Sequence, residues 1–179
     1  MKFNENGLLP LGDYPLTLSA LKNSILVQGD GNDPDWDREW RALLVDNASV
    51  LIHQLWKIGI HEIFLDGSFV EQKSHPNDID GYFVCDLFEH ATGRLERDLN
   101  KIDPYKVWTW DSKSRYPYQG HAKHQLPMWH RYRVELYPHF GQTSGIKDEF
   151  GNELKFPSAF RQARYTYLPK GIVKIIKGE

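Results

Sequence analysis

Two acidic side chains in an otherwise apolar segment constrain the fold of this chain more than any other feature. Residues 78–85 read Asp-Ile-Asp-Gly-Tyr-Phe-Val-Cys, which alternates acidic and apolar residues and then becomes fully apolar. This pattern predicts a β-strand that is buried at one end. Residues two apart on a strand share a face, so Asp78 and Asp80 repel each other unless a cation lies between them. The segment therefore predicts a strand that carries a metal site, with an exposed strand edge protected by charged side chains as the alternative.

A tight turn precedes this strand. The segment 61–66, His-Glu-Ile-Phe-Leu-Asp, is β-prone and breaks at Gly67-Ser68. A glycine lets the backbone approach a phosphate closely, and exposed N–H groups in a following helical turn favour anions. Gly67 and Ser68 are therefore candidates for binding phosphate, with a plain turn as the alternative.

A third carboxylate lies further along the chain. Residues 131–137 alternate polar and apolar side chains, which predicts a strand with one polar face that carries Glu135. Carboxylate oxygens suit Mg²⁺, with Mn²⁺ as a second option, and three of them can hold two ions. A salt bridge with Arg131 or Arg133 is the alternative for Glu135.

The rest of the chain predicts one mixed α+β domain over residues 1–179. Apolar residues recur at helical spacing over 36–58 and 87–102. We also expect shorter elements: helices at 18–24 and 157–164, and strands at 107–110 and 172–176. Residues 1–35 are interpreted as an N-terminal arm and residues 138–179 as a C-terminal extension of unknown role, while 111–130 has no clear period.

Composition limits the classes of function. The chain has a net charge of −2, so no overall charge attracts it to nucleic acid or to a membrane. One cysteine, Cys85, cannot form an internal disulfide, and no apolar run is long enough for a membrane span. His121, His124 and His130 lack the further ligands of a zinc set and are interpreted as loop histidines. We expect a cytoplasmic protein without a membrane partner.

The three acidic and Gly-Ser elements together resemble a known signature. Leu65-Asp-Gly67-Ser68, then Asp78-Ile-Asp80 after nine residues, and a later Val134-Glu135-Leu136 look like the polymerase-β-like nucleotidyltransferase superfamily, as a small stand-alone member. The resemblance implies a small mixed β-sheet with helices packed on one side. It also implies that Gly67 and Ser68 bind the triphosphate, that Asp78 and Asp80 bind two Mg²⁺ ions, and that Glu135 serves the catalytic metal and the nucleophile.

The sequence departs from this family after the Gly-Ser pair. Many small members have a basic residue there, whereas this chain has Phe69-Val70-Glu71. Lys73 and Arg133, with Arg131, are therefore the candidates that meet the phosphate charge.

The resemblance implies transfer of a nucleoside monophosphate from an NTP, with ATP favoured, to an acceptor hydroxyl on a protein or RNA. Small stand-alone members of this superfamily include antibiotic-modifying enzymes, enzymes that modify a partner protein, and members of toxin–antitoxin pairs. The lack of a recognisable second substrate-binding domain resembles the last two groups, which implies a toxin–antitoxin or defence setting and a partner protein encoded nearby. Two alternatives stay open: a non-catalytic nucleotide-binding or regulatory module, and a metal-dependent phosphohydrolase.

Overall fold

The computed structural model describes residues 1–120 and 122–178. The strands, in chain order, are β1 (Asp13–Leu16), β2 (Ile63–Asp66), β3 (Ile79–Val84), β4 (Tyr116–Pro117), β5 (His124–Gln125), β6 (Val134–His139), β7 (Thr143–Lys147), β8 (Glu153–Lys155) and β9 (Ile172–Ile175). The α-helices are α1 (Leu18–Lys22), α2 (Ile25–Gln28), α3 (Arg38–Lys57), α4 (Leu87–Ala91), α5 (Arg94–Ile102), α6 (Pro127–Tyr132) and α7 (Phe156–Ala159). Short 3₁₀ helices cover Gly67–Val70 and Ser112–Ser114.

Five strands form a mixed sheet in the order β1-β9-β2-β3-β6. β1 pairs parallel with β9 and β3 parallel with β6, while β2 pairs antiparallel with both β9 and β3. The expected mixed α+β fold is confirmed at this level. Both chain ends enter the sheet, since the predicted N-terminal arm supplies β1 and the predicted C-terminal extension supplies the inner strand β9. The extension is therefore an integral part of the fold.

One face of this sheet packs on the long helix α3. The Asp37 side chain caps the helix by accepting a 2.9 Å hydrogen bond from the Trp40 N–H. Its buried apolar side chains recur at helical spacing and join inward-facing strand side chains in one core, among them Leu44, Ala48, Leu51, Leu55, Ile63, Leu65, Phe83 and Val134. Burial of this apolar face holds the helix to the sheet.

The opposite face carries a smaller apolar cluster. Phe64, Tyr82 and Ile172 alternate along their strands with the core residues and so point to this other side. Phe156 and Phe160, in and just after α7, pack on them. The expectation of helices on one side therefore needs a correction, because α7 covers part of the second face.

Four local predictions differ from the structure. The predicted helix 87–102 is two helices, α4 and α5, which are separated at Thr92-Gly93. Residues 107–110 form no strand, because the backbone N–H and carbonyl of Trp108 bond to the Asn100 side chain at 3.0 and 2.7 Å.

The other two differences concern element bounds. The strand predicted over 131–137 begins at Val134, since α6 occupies the preceding residues and Arg133 ends it with a left-handed φ of 56°. The helix predicted over 157–164 is the shorter α7. Among the described residues, no helix is both long and apolar enough to cross a membrane.

Candidate functional site

Three neighbouring strands bring three carboxylates into one row. Asp66 at the end of β2 lies opposite Asp80 in β3, and Asp80 lies opposite Glu135 in β6. Residues directly opposite each other on paired strands project from the same face of the sheet. We call Asp66, Asp80 and Glu135 the acidic row. It lies on the face opposite α3, and Asp78, two residues before Asp80, points to the same side.

The Gly67-Ser68 turn lies directly on this row. After β2 the chain enters the 3₁₀ helix Gly67–Val70, and Gly67 has a φ of 75°. A side chain at Gly67 would overlap the Asp80 carboxylate and would lie 3.1 Å from the Asp80 Cβ. Only glycine combines this conformation with this close approach. The predicted phosphate-binding turn and the predicted metal-binding strand therefore meet.

The carboxylate of Asp80 is crowded by other acids. Burial, followed by the negative charges of Asp78, Glu135 and Asp66, raises the pKa of Asp80 to about 8, against a small opposing effect of Lys123. Among residues 1–120 and 122–178, none donates a hydrogen bond to the Asp80 carboxylate. A cation beside it would favour the ionised form.

Asp78 is held by a neighbouring tryptophan. The Trp129 Nε1–H donates a 2.7 Å hydrogen bond to Asp78 Oδ2. The Arg133 guanidinium packs between the rings of Trp129 and Tyr118, about 4 Å from each centroid. Arg133 therefore contacts Trp129, which in turn contacts Asp78, and its role in meeting the phosphate charge stays a prediction.

Glu135 is buried and held by three donors. Its Oε1 accepts from Arg115 Nη1 at 3.3 Å and from the Leu126 N–H at 3.1 Å, and its Oε2 accepts from the Tyr137 hydroxyl. Glu135 therefore forms a partly buried salt bridge, but the alternative offered by the sequence is wrong in its partner. Its partner is Arg115, from a segment without a predicted structure, and neither Arg131 nor Arg133.

Two of the candidate phosphate-binding cations do not join the row. The Lys73 side chain is exposed and makes no ion pair within the described part of the chain. The Arg131 guanidinium lies 3.8 Å from the centroid of the Tyr105 ring and donates to the Tyr105 hydroxyl.

Sequence reasoning missed a buried ion-pair cluster under the turn. Lys170 is 2% exposed, and its Nζ lies 3.1 Å from Asp66 Oδ1, 2.6 Å from Glu71 Oε1 and 3.3 Å from the carbonyl oxygen of Gly67. Burial raises the pKa of Asp66 to about 7, although Lys170 opposes this. Lys170 thus ties together the residues before, within and after the turn. The only sign of this cluster in the sequence was Asp66, an acidic residue at the end of the apolar strand β2.

Arg41 was also missed, because an arginine within an amphipathic helix usually lies on its exposed side. It is fully buried, and its guanidinium donates to four carbonyl oxygens, those of Leu26, Phe69, Glu71 and Lys73, at 2.5–3.1 Å. Burial lowers the pKa of Arg41 to about 9. Three of its acceptors belong to residues 69–73, so Arg41 fixes the chain that follows Gly67-Ser68.

The oxygen donors fit a hard cation in part. Asp78 and Asp80 project from one face, and no described residue donates a hydrogen bond to Asp80, which suits Mg²⁺. Residues 1–120 and 122–178 contain no assembled group of three or more His, Cys, Asp or Glu side chains for a metal. The Glu135 carboxylate is engaged by its own hydrogen-bond donors. Of the histidines considered as ligands, His121 lies outside the described residues and His130 stacks on the Tyr116 ring at 3.7 Å.

Comparison with known proteins gives a family without a known activity. No curated protein and no solved structure matches the chain. Residues 1–176 match a family model described as a family of unknown function (DUF6932). Because this match covers almost the whole chain, the protein belongs to the DUF6932 family.

Proposed function

We propose that the protein is a Mg²⁺-dependent nucleotidyltransferase that moves a nucleoside monophosphate from an NTP to an acceptor hydroxyl. The observation that supports this most strongly is the contact between the Gly67 turn and the Asp80 carboxylate, within a row of three acids. Phosphoryl transfer requires two parts: a turn that binds the phosphates, and carboxylates that bind a divalent cation. Here they are adjacent.

The turn binds the triphosphate. Gly67 brings the backbone of the turn against the Asp80 carboxylate, and Ser68 supplies a hydroxyl and an N–H for the β and γ phosphates at the start of the 3₁₀ helix. Arg41 and Lys170 hold this turn rigid from below. A rigid turn binds the phosphates with a smaller loss of conformational entropy.

Asp78 and Asp80 would hold the Mg²⁺ ions. When bound, these ions supply the positive charge that offsets the triphosphate and the departing pyrophosphate. Glu135 would join them only after exchanging its Arg115 contact. The acceptor oxygen bonds to the α-phosphorus, the bond from that phosphorus to the pyrophosphate oxygen breaks, and Glu135 orients the hydroxyl and takes its proton.

The test is transfer of label from α-³²P NTPs, with ATP first, in Mg²⁺ and cell lysate. Wild type should label a protein or RNA band, whereas Asp78→Asn and Asp80→Asn should not. Asp35→Asn, at an exposed acid in the loop before α3, is the matched control and should label as wild type does. Absence of label with wild type, for every NTP, would overturn the proposal.

One observation favours a second function, a nucleotide-binding module without chemistry. Glu135 is satisfied by Arg115, Tyr137 and the Leu126 N–H, so it needs no metal. Calorimetric NTP binding with neither label transfer nor pyrophosphate release would favour this module. Pyrophosphate release without label on any acceptor would favour a phosphohydrolase.

A further inference from the structure

The basic residues of the chain are concentrated in two segments. Residues 112–133, the hairpin segment, and residues 155–178, the C-terminal segment, contain no Asp or Glu although the whole chain has 24. They hold eleven of its 22 Lys and Arg: Lys113, Arg115, Lys123, Arg131, Arg133, Lys155, Arg161, Arg164, Lys170, Lys174 and Lys177. The net charge of −2 therefore hides two basic segments. Four of their cations pair with acids elsewhere in the chain: Arg115, Arg161, Lys170 and Lys174.

The hairpin segment adjoins the Glu135 end of the acidic row. Arg115 contacts Glu135, and the charge of Lys123 acts on Asp80. The β4–β5 hairpin also exposes an aromatic ring, since Tyr116 is 47% exposed while one face of its ring stacks on His130. This end of the row thus carries two exposed cations, Lys113 and Lys123, together with the exposed ring of Tyr116.

The C-terminal segment adjoins the other end of the row. Lys170 contacts Asp66 and the Gly67 carbonyl, and the exposed loop just before it carries Arg164, Tyr165 and Tyr167. Tyr165 is 80% exposed, and both tyrosines have a left-handed φ, of 73° and 57°. Left-handed backbone dihedrals are strained for residues other than glycine, and such strain concentrates at binding sites.

We propose that the acceptor is a single-stranded nucleic acid that crosses the acidic row from the hairpin segment to the C-terminal segment; this inference rests on the proposed nucleotidyl transfer. Phosphates of the strand contact Lys113, Lys123 and Arg164, and unpaired bases stack on Tyr116 and Tyr165. Cations interleaved with exposed rings suit unpaired bases, because a duplex hides their faces. An acidic protein would use the cations and leave the rings without a role.

The proposed reaction transfers one nucleotide to the end of this strand. Its terminal hydroxyl oxygen bonds to the α-phosphorus of the NTP, the bond to the β-phosphate bridging oxygen breaks, and pyrophosphate leaves. The hydroxyl proton passes to Glu135. The strand becomes one nucleotide longer.

Binding is measured without NTP, so that no transfer can occur. Fluorescein-labelled single strands of about 12 nucleotides, one RNA and one DNA of the same sequence, are titrated with the full chain in Mg²⁺ by fluorescence anisotropy. Wild type should bind, and the affinity should fall as salt rises. Tighter binding of RNA would identify the 2′-hydroxyl as part of recognition, and equal binding would assign the surface to either strand.

Two variants on the proposed surface and one charge-matched control elsewhere distinguish binding at this surface from a general effect of net charge. Lys113→Glu with Arg164→Glu should weaken binding at least about tenfold and reduce the salt dependence by about 0.7 in the log–log slope for each lost phosphate contact. Tyr165→Ala should weaken binding roughly tenfold. Lys57→Glu with Lys101→Glu, on the α3 and α5 side of the sheet, carries the same charge change and should bind as wild type.

The outcomes distinguish this inference from the proposed function. No strand binding by wild type, or equal weakening in the control, would overturn the inference. Label transfer to a protein band without strand binding would overturn it while leaving nucleotidyl transfer intact. Strand binding without label transfer from any NTP would overturn nucleotidyl transfer and leave the binding surface.

Discussion

The two faces of the central sheet come from the same strands but serve opposite purposes. Ile63 and Leu65 of β2 point into the core with α3, whereas Phe64 and Asp66 point to the other face. Burial of apolar area on the first face supplies the stability. On the second face the acids repel one another, which opposes folding. Residues that stabilise the fold and residues of the candidate site therefore alternate along each strand.

The largest effect should come from the acidic face, and it should fall on activity alone. Asp80→Asn should reduce label transfer by on the order of 10³-fold or more, because the substitution removes an anionic ligand from the proposed cation site. The melting temperature in EDTA should not fall, since the substitution also removes charge repulsion with Asp78 and Glu135. Label transfer and thermal melting of the same samples measure both.

A structural role for Asp80 would give the opposite pair of results. If Asp80→Asn lost cooperative melting, the acid would be holding the fold and the contrast between the faces would fail. Asp35→Asn should change neither quantity.

The next largest effect should come from the apolar face. Leu51→Ala in α3 removes a fully buried side chain and should cost about 2–5 kcal/mol of unfolding free energy. At about 2–4 °C for each kcal/mol, the melting temperature falls clearly. Val50→Ala, one residue earlier and 40% exposed, is the matched control. Equal effects of the two substitutions would mean that α3 does not pack as described.

Local sequence patterns predicted the apolar face well. The apolar spacing of α3 and the alternation in β3 depend on neighbours along the chain, so both elements were predicted to within a few residues. The split between α4 and α5 and the absence of a strand at 107–110 depend on tertiary contacts, such as that of Asn100 with Trp108. No local pattern carries that information.

The candidate site could be predicted only in part for the same reason. The spacing of Gly67, Asp78 and Asp80 identified elements that the fold brings together. Lys170 lies more than 100 residues from Asp66, and Arg115 lies in a segment without periodicity, so their contacts are visible only in three dimensions. The two basic segments are visible in the sequence, but their position at the two ends of the acidic row depends on the fold.

Arg41 should link the two faces. It belongs to α3, yet it donates to the carbonyls of Phe69, Glu71 and Lys73 after the turn. Arg41→Lys keeps the charge but cannot reach all these acceptors, so unfolding should cost about 1–3 kcal/mol less for each group left unsatisfied. The KM for NTP should also rise, because the turn loosens. Arg38→Lys, on the exposed side of the same helix, is the control, and an unchanged KM in Arg41→Lys would separate the turn from nucleotide binding.

The smallest effect should be a pH dependence that belongs to the acidic face alone. The pKa of Asp80 is raised to about 8 and that of Asp66 to about 7, against about 4 for an unfolded aspartate. Between these values the folded chain binds more protons than the unfolded chain, so stability in EDTA falls as pH rises toward 8 and levels off above it. Asp80→Asn lacks one of these groups, so its melting temperature relative to wild type should rise with pH. Between pH 7 and pH 8 the difference is about 1 kcal/mol, which corresponds to a few degrees. Mg²⁺ should stabilise wild type more at pH 8 than at pH 5, because the cation favours the ionised carboxylates, and it should stabilise Asp80→Asn little at either pH. If the melting temperature of wild type depended on neither pH nor Mg²⁺, the acids on this face would not interact. The two faces would then differ only in hydrophobicity.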